Sequence, residues 1–442
     1  MFERLYFESE TMDPYVNLAT EEFLLKHCGP DQSILYLWQN QHTVVIGKNQ
    51  NAWKECRIGA IEKAGGHIAR RLSGGGAVYH DLGNLNFTFI TGRAHYDVAG
   101  NMEVIRKAVA SFGIDARKTG RNDLEANGHK FSGNAYFEGA KTCYHHGTLM
   151  IDVDLSKLKD YLNVSQAKLQ SKGVESVRSR VVNLRELEPT ITIEGMKEAM
   201  KVAFFMEDDL ENIVGIRNGA SGEGQRWITG FVNQYDGVSL DRSSVDSPDE
   251  AITEYAAKCP NDALTNYVAK SPDAKPIKQI KLSKQIELSE QDQAEIQKLA
   301  KKYASWDWIF GKKLAFQSEI GCRFDWGEMS LQFMVNGGII KDVMMYSDAL
   351  YGNLPEKVPA CICGRRYNRE DIVSGLKALK DSLEQGTYGM EESKEATSDN
   401  SRIVGGSVGS EELQAGQDTT RTNEEEVRML EDIMVFVSEA DI

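Results

Sequence analysis

Strands and helices follow one another in irregular order through the first half of the chain, which predicts an α/β or α+β domain rather than a regular βαβ array. Two further observations sharpen this. β-rich runs gather around a triple glycine, Gly74–Gly76, and all eight histidines lie between His27 and His146. A mixed-sheet domain is therefore expected at the front of the chain, and its chemistry in the first third.

Composition bounds the class. Of 442 residues, 41% are hydrophobic and 26% charged, the mix of a globular protein long enough for two or three domains. No apolar run approaches the roughly 18 residues of a membrane span. The 51 basic against 66 acidic residues leave a net charge of −15, unlike the basic footprint of a nucleic-acid binder. Seven scattered cysteines do not make a disulfide framework, and MFERLYFESE lacks the basic, acid-poor character of a targeting segment. The expected location is the cytoplasm.

The elements read in order as follows. Leu5–Phe7 forms a short aromatic strand, and Asp13-Pro14 starts a helix whose apolar side carries Leu18, Phe23, Leu24 and Leu25. Ile34–Trp38 and Thr43–Ile46 read as a hairpin across a polar turn. Ala69–Leu72, Ala77–His80 and Leu85–Ile90 are strands around the glycine loop, followed by a helix at Met102–Phe112, a strand at His146–Val153 and a helix at Thr192–Phe205. This catalytic domain is assigned to 1–217, and 218–284 to an insertion with partial structure, edged by Gly, Ser and Pro yet holding Trp227, Phe231, Tyr235 and Tyr255. A small α+β domain is expected at 285–386, with helices at Glu290–Tyr303 and Arg369–Leu383 and strands at Ser330–Val335 and Gly338–Met345. An acidic, largely disordered tail is assigned to 387–442. Its end regains apolar residues, as a docking helix would, although composition favours a frayed tail.

The densest chemical signal is RRLSGGGAVYHDLGN, Arg70–Asn84. Consecutive glycines let backbone N–H groups converge on an anion, and arginines before them add bidentate donors. The pattern is neither a P-loop nor a dinucleotide fingerprint, and as a pattern alone it also fits a plain loop between strands. In GRNDL and HKFSGNA, Lys130 stands among small and apolar residues, and Asp123 is a carboxylate of the kind that holds Mg²⁺ near phosphates. A solvated lysine and a turn-capping aspartate are the plainer alternatives. His145-His146 enters a strand, so one ring goes to each face. No further ligands stand at zinc spacing. Cys143 lies near both histidines but reads as a buried, inert thiol, and Cys361-Ile362-Cys363 has no matching second pair.

These motifs together resemble the lipoate–protein ligase family. RRLSGGGAVYHDLGNLNFTF and HKFSGNAYF match its central signatures almost residue for residue, and VVIGKNQN, GRNDL, HHGTLMIDVDL and SVRSRVVNL follow the family's order. The match spans roughly residues 1–215, and YASWDWIFGKK is similar, more weakly, to the start of the family's small C-terminal domain. The resemblance implies the catalytic fold shared by biotin ligases and class II aminoacyl-tRNA synthetases. It implies an ATP-dependent reaction in which lipoate becomes lipoyl-AMP and is then transferred to a lysine of a 2-oxoacid dehydrogenase E2 lipoyl domain or a glycine-cleavage H protein.

By resemblance, Lys130 bridges the lipoate carboxylate and the α-phosphate, and Arg71 contacts lipoate and the nucleotide. Gly74 and Gly75 cradle phosphate, while Gly76, Ala77, Val78 and Tyr79 line the adenine with backbone groups. Ser73, His80 and His146 border the lipoyl tail, and Asp123 holds Mg²⁺. Arg178, Arg180 and Arg185 are candidates for steering an acidic acceptor. The competing expectations are an octanoyl- or lipoyl-transferase with Cys143 as thioester nucleophile, and a non-catalytic lipoate or nucleotide-binding module.

Overall fold

In the computed structural model the described residues are 2–120, 122–163, 181–205, 285–311, 314–386, 388, 420–440 and 442. The expected insertion at 218–284, together with Arg121, Arg178 and Arg180, lies outside them.

The front of the chain contributes strands β1 (Glu3–Glu8), β2 (Gln32–Trp38), β3 (Thr43–Ile46), β4 (His67–Arg70), β5 (Val78–His80), β6 (Asn84–Gly92), β7 (Ala116–Thr119), β8 (Asp123–Ala126), β9 (His129–Glu138) and β10 (Thr142–Met150). They form a seven-stranded mixed sheet, β1-β2-β6-β10-β9-β8-β7, and a small sheet, β4-β3-β5. The expected hairpin of β2 and β3 does not form: β2 pairs with β1 and β6, whereas β3 pairs with β4 and β5. The polar turn between them is used for another purpose. Asn17 donates to Gln39 O (2.7 Å) and Asn40 Oδ1 (3.0 Å), and Gln39 donates to Leu82 O (2.8 Å), so buried amides tie the crossing between sheets.

Helix α1 (Pro14–His27) starts as its sequence requires. The Asp13 carboxylate accepts from the N–H groups of Tyr15 (2.8 Å) and Val16 (3.3 Å), with proline in the first turn. Along β6 the side chains alternate. Leu85, Phe87 and Phe89 enter a core with α2 (Val98–Ala110) and α3 (Ile193–Phe205), while Ile90 faces a second core with α1. That second face is also covered by α4 (Glu290–Tyr303), whose Ile296, Ala300 and Tyr303 are buried there. The Ile286 N–H donates to Tyr6 O (2.9 Å), and α5 (Trp306–Phe310) packs by Arg70, so residues 285–311 complete the catalytic unit rather than opening the small domain. The reason is amphipathic: the apolar stripe of α4 has a sheet face to cover.

The C-terminal domain contains an antiparallel sheet, β11 (Ser318–Phe324), β12 (Gly327–Asn336) and β13 (Ile339–Ser347), packed by α6 (Leu354–Ile362), α7 (Arg369–Glu384) and α8 (Thr420–Glu439). The final segment is thus a docked helix, not a frayed tail. Leu430, Ile433 and Val437 are fully buried, and burying such side chains contributes about 1.5–3 kcal/mol apiece.

Candidate active site

A cleft of about 180 Å³ opens between the sheets. Arg71, Gly75, Gly76, Ala77, Val78, His80, Lys130 and His146 all line it, together with Leu18, Trp38, Val45, Asn86, Asn122 and Asn134. Strand alternation explains who faces it. On β5, Val78 and His80 line the cleft, and the Tyr79 ring packs on His42 (5.9 Å) and Tyr161 (5.5 Å) in a separate core. On β10, His146 lines the cleft and His145 enters the core beside Phe87, Phe89 and Tyr136, one ring to each face as expected.

The expected ligand-contacting arginine is committed to backbone. The Arg71 guanidinium donates to Val45 O (3.2 Å), Gly74 O (2.7 Å), Gly76 O (2.8 Å) and Ser73 Oγ (3.0 Å), so it folds the glycine loop around itself. Arg70 does the same for the carbonyls of Lys48 (2.8 Å), Gln50 (2.8 Å) and Trp308 (2.9 Å). Burial pushes each of these arginines down to about 10.

Gly75 has φ +88°, which favours glycine, and its N–H donates to Ala349 O of the C-terminal domain (3.0 Å). A Cβ on Gly74 would stand 2.3 Å from that same oxygen. The two glycines expected to cradle phosphate therefore hold a peptide carbonyl in this structure.

Lys130 is placed differently. It sits on β9 beside a bulge where Glu125 opposes Lys130 but Leu124 opposes Ser132, a device that re-aims side chains. Its Nζ lies 2.6 Å from Asp123 Oδ1, and both side chains are about one-third exposed, 33% and 28%. A Cβ on Gly133 would come within 2.9 Å of Nζ, so the glycine of HKFSG leaves the ammonium its room. Asp123 is the partner of Lys130, and the described residues hold no group of three or more His, Cys, Asp or Glu side chains able to bind a metal. A single carboxylate matches the way Mg²⁺ is held beside substrate phosphates, with phosphate oxygens and waters completing its shell, so Asp123 would hold the ion only on parting from Lys130.

Ser73 Oγ accepts from Arg71 and lies 2.7 Å from His146 Nε2, whose Nδ1 lies 2.8 Å from Glu21 Oε1. Thr88 donates to the same Glu21 oxygen (2.7 Å) and receives the Trp38 Nε1–H (3.0 Å). The Glu–His–Ser order imitates a hydrolase triad, but Ser73 is 1% exposed and already accepts from an arginine. It braces the cleft wall.

His80 is a donor waiting for an acceptor. Asn40 donates to its Nδ1 (3.2 Å), which leaves Nε2 carrying the hydrogen, and that buried atom has no partner among the described residues. Burial, then the charge of Arg71, pushes His80 down to about 3. Asn86 Nδ2, also buried, is likewise unpartnered in the same lining. Asn86 was not anticipated, though its signal was visible: a polar residue alternating with Leu85 and Phe87 on a buried strand.

The alternative nucleophile is badly placed. Cys143 is fully buried, does not line the cleft, and is pushed up to about 11 by burial. Arg185, the one described member of the proposed basic patch, is paired with Asp152 (2.8 Å). No helix among the described residues is long and apolar enough to cross a membrane.

The family matches define the class, a lipoyl protein ligase catalytic domain followed by a lipoate protein ligase C-terminal domain. The family model for the lipoyl protein ligase A/B catalytic domain matches residues 13–205, and that for the bacterial lipoate protein ligase C-terminus matches 313–394. The chain is 34% identical to a lipoate-protein ligase A of Psychrobacter cryohalolentis, over 84% of this chain and 91% of the relative. It is 32% identical to one from Bdellovibrio bacteriovorus, over 88% and 96% respectively. Among solved structures it is similar to Plasmodium falciparum LipL1 in complex with lipoate (26% identity, TM-score 0.58, 88% of this chain and all of that one). The chain belongs to the lipoate–protein ligase family and is a ligase.

Proposed function

We propose that the protein activates free lipoate with ATP and transfers the lipoyl group to an acceptor lysine. The observation that carries this reading is that Lys130 and the triple-glycine loop face one cleft whose remaining wall includes Leu18, Trp38 and Val45. The lipoate held by LipL1 supports the acyl substrate.

Two anions must meet for the first step. At about 4 Å and an effective dielectric near 20, each unit-charge pair repels by about 4 kcal/mol. The Lys130 ammonium exchanges Asp123 for the lipoate carboxylate and the α-phosphate. A carboxylate oxygen attacks the α-phosphorus, the bond to pyrophosphate breaks, and lipoyl-AMP forms. His80 Nε2–H and Asn86 Nδ2–H then meet acceptor atoms of the bound acyl group, and the apolar wall excludes water from the anhydride. In the second step an acceptor amine attacks the lipoyl carbonyl, AMP departs, and the amine loses a proton as the amide forms. Catalysis is positioning and electrostatics, with no acylated side chain. The acceptors are lipoyl domains of E2 subunits and the glycine-cleavage H protein, both of which present a lysine for this chemistry.

The test is an assay of pyrophosphate release with lipoate and ATP, followed by acceptor modification on purified lipoyl domains and H protein. ATP-dependent release and lipoylated acceptor are expected. Lipoylation from an acyl carrier without ATP would overturn the reading in favour of a transferase.

A further inference from the structure

We propose that Glu426 is a positioning residue: from α8 it holds the 347–353 segment of the C-terminal domain against the glycine loop, and so sets how often the Gly75 N–H is available to a nucleotide phosphate. The inference rests on the reading above that this loop receives ATP.

The segment is held on two sides at once. Toward the catalytic domain, the Ser347 N–H donates to Asn49 O (3.0 Å), and Ala349 O accepts from the Gly75 N–H (3.0 Å). The Tyr351 ring stacks on Tyr136 at 5.3 Å and 1°. The chain then turns at Gly352 (φ +90°) into α6, and the Asn353 N–H donates to Glu426 Oε1. The other carboxylate oxygen pairs with Lys357 Nζ, on the first turns of the same helix.

Glu426 is fully buried although it sits on the last helix, beyond residue 394, where the C-terminal family match ends. An apolar residue would pack a helix face at less desolvation cost. A carboxylate at this position does what an apolar side chain cannot: it grips one backbone N–H at the end of the segment that covers the glycine loop. A Cβ on Gly352 would stand 3.1 Å from Glu426 Cγ, so turn and side chain are closely fitted. Nucleotide binding requires the Ala349 carbonyl to leave Gly75. The apparent affinity for ATP then scales with the fraction of molecules in which it has left.

The experiment uses the full chain and compares two double variants. Glu426→Met with Lys357→Met removes the buried carboxylate, its part-exposed partner charge and the grip at similar volume. Glu426→Gln with Lys357→Met removes the charges but keeps an oxygen for the Asn353 N–H. Hydrogen exchange is followed at Gly75 and through 347–353, and the KM for ATP is measured by pyrophosphate release. The Met/Met variant is expected to exchange faster at Gly75 and 347–353, with α7 unchanged, and to lower the ATP KM by about threefold or more at unchanged kcat. The Gln/Met variant should restore both toward the parent. Unchanged exchange at Gly75 in the Met/Met variant overturns the proposal, as does faster exchange throughout the C-terminal domain with no recovery in the Gln/Met variant. Absence of pyrophosphate release by the parent would instead overturn the ATP reading, and the exchange arm would still decide the role of Glu426.

Discussion

Arg71 and Lys130 border the same cleft, and their surroundings are built in opposite ways. The arginine is buried, with its donors held by the carbonyls of the loop it shapes and by Ser73, whereas the lysine is part-exposed and paired with Asp123. A planar guanidinium with five donors suits a fixed polar scaffold; a flexible ammonium suits a change of partner. On the proposed reading, one cation holds the site in shape, and the other exchanges Asp123 for the substrates. Charge near a cleft does not by itself identify the reacting group. What each donor already does is the better guide.

The contrast breaks most visibly on the arginine side. Arg71→Met strands the carbonyls of Val45, Gly74 and Gly76, and at about 1–3 kcal/mol for a buried unsatisfied group the loss should reach about 3 kcal/mol in a urea melt. Arg71→Lys should fail to recover it, since an ammonium cannot fork across the loop. An Arg71→Met protein as stable as the parent but unable to bind ATP would reverse the assignment.

Acid sharpens the same comparison. His80 and His145 are pushed by burial from 6.5 to about 3, so the folded state resists protonation that the unfolded chain accepts. Between those values the unfolded chain binds more protons, and stability falls as pH falls. By pH 5 each histidine should cost about 2 kcal/mol relative to neutral pH, measurable from denaturation midpoints. His80→Gln should remove part of that slope. The smallest effect is expected at Cys143. Cys143→Ser should leave ATP-dependent lipoate activation unchanged, because the thiol is buried and outside the cleft. Loss of activity without loss of fold would restore the thioester reading.

Local signals were legible where local chemistry decides the structure. Asp13-Pro14 announced α1, and the apolar spacing of Glu290–Tyr303 gave that helix its observed ends. What escaped were decisions made by distant partners. Nothing around Trp38 and Thr43 says that β2 and β3 belong to different sheets, since their pairing partners lie elsewhere in the chain. The helix at 290–303 was legible as a helix but not as part of the catalytic unit, because its partner face is built from residues such as Leu18 and Tyr144. At the site, HKFSG brought out Lys130, and RRLSGGG brought out Arg71. The sequence could not tell a phosphate-binding arginine from one occupied by carbonyls, nor show a C-terminal peptide on Gly75. Both depend on contacts that only the folded chain makes.

The central claim is that the Lys130 ammonium neutralises the two acids that form the anhydride. A single-turnover measurement of lipoyl-AMP from lipoate and ATP, comparing Lys130→Met with the parent, tests it most directly, because methionine keeps the stem and removes the charge. The account predicts a fall of about 10²-fold or more with an unchanged melting temperature. Adenylate formed at near the parental rate would contradict it.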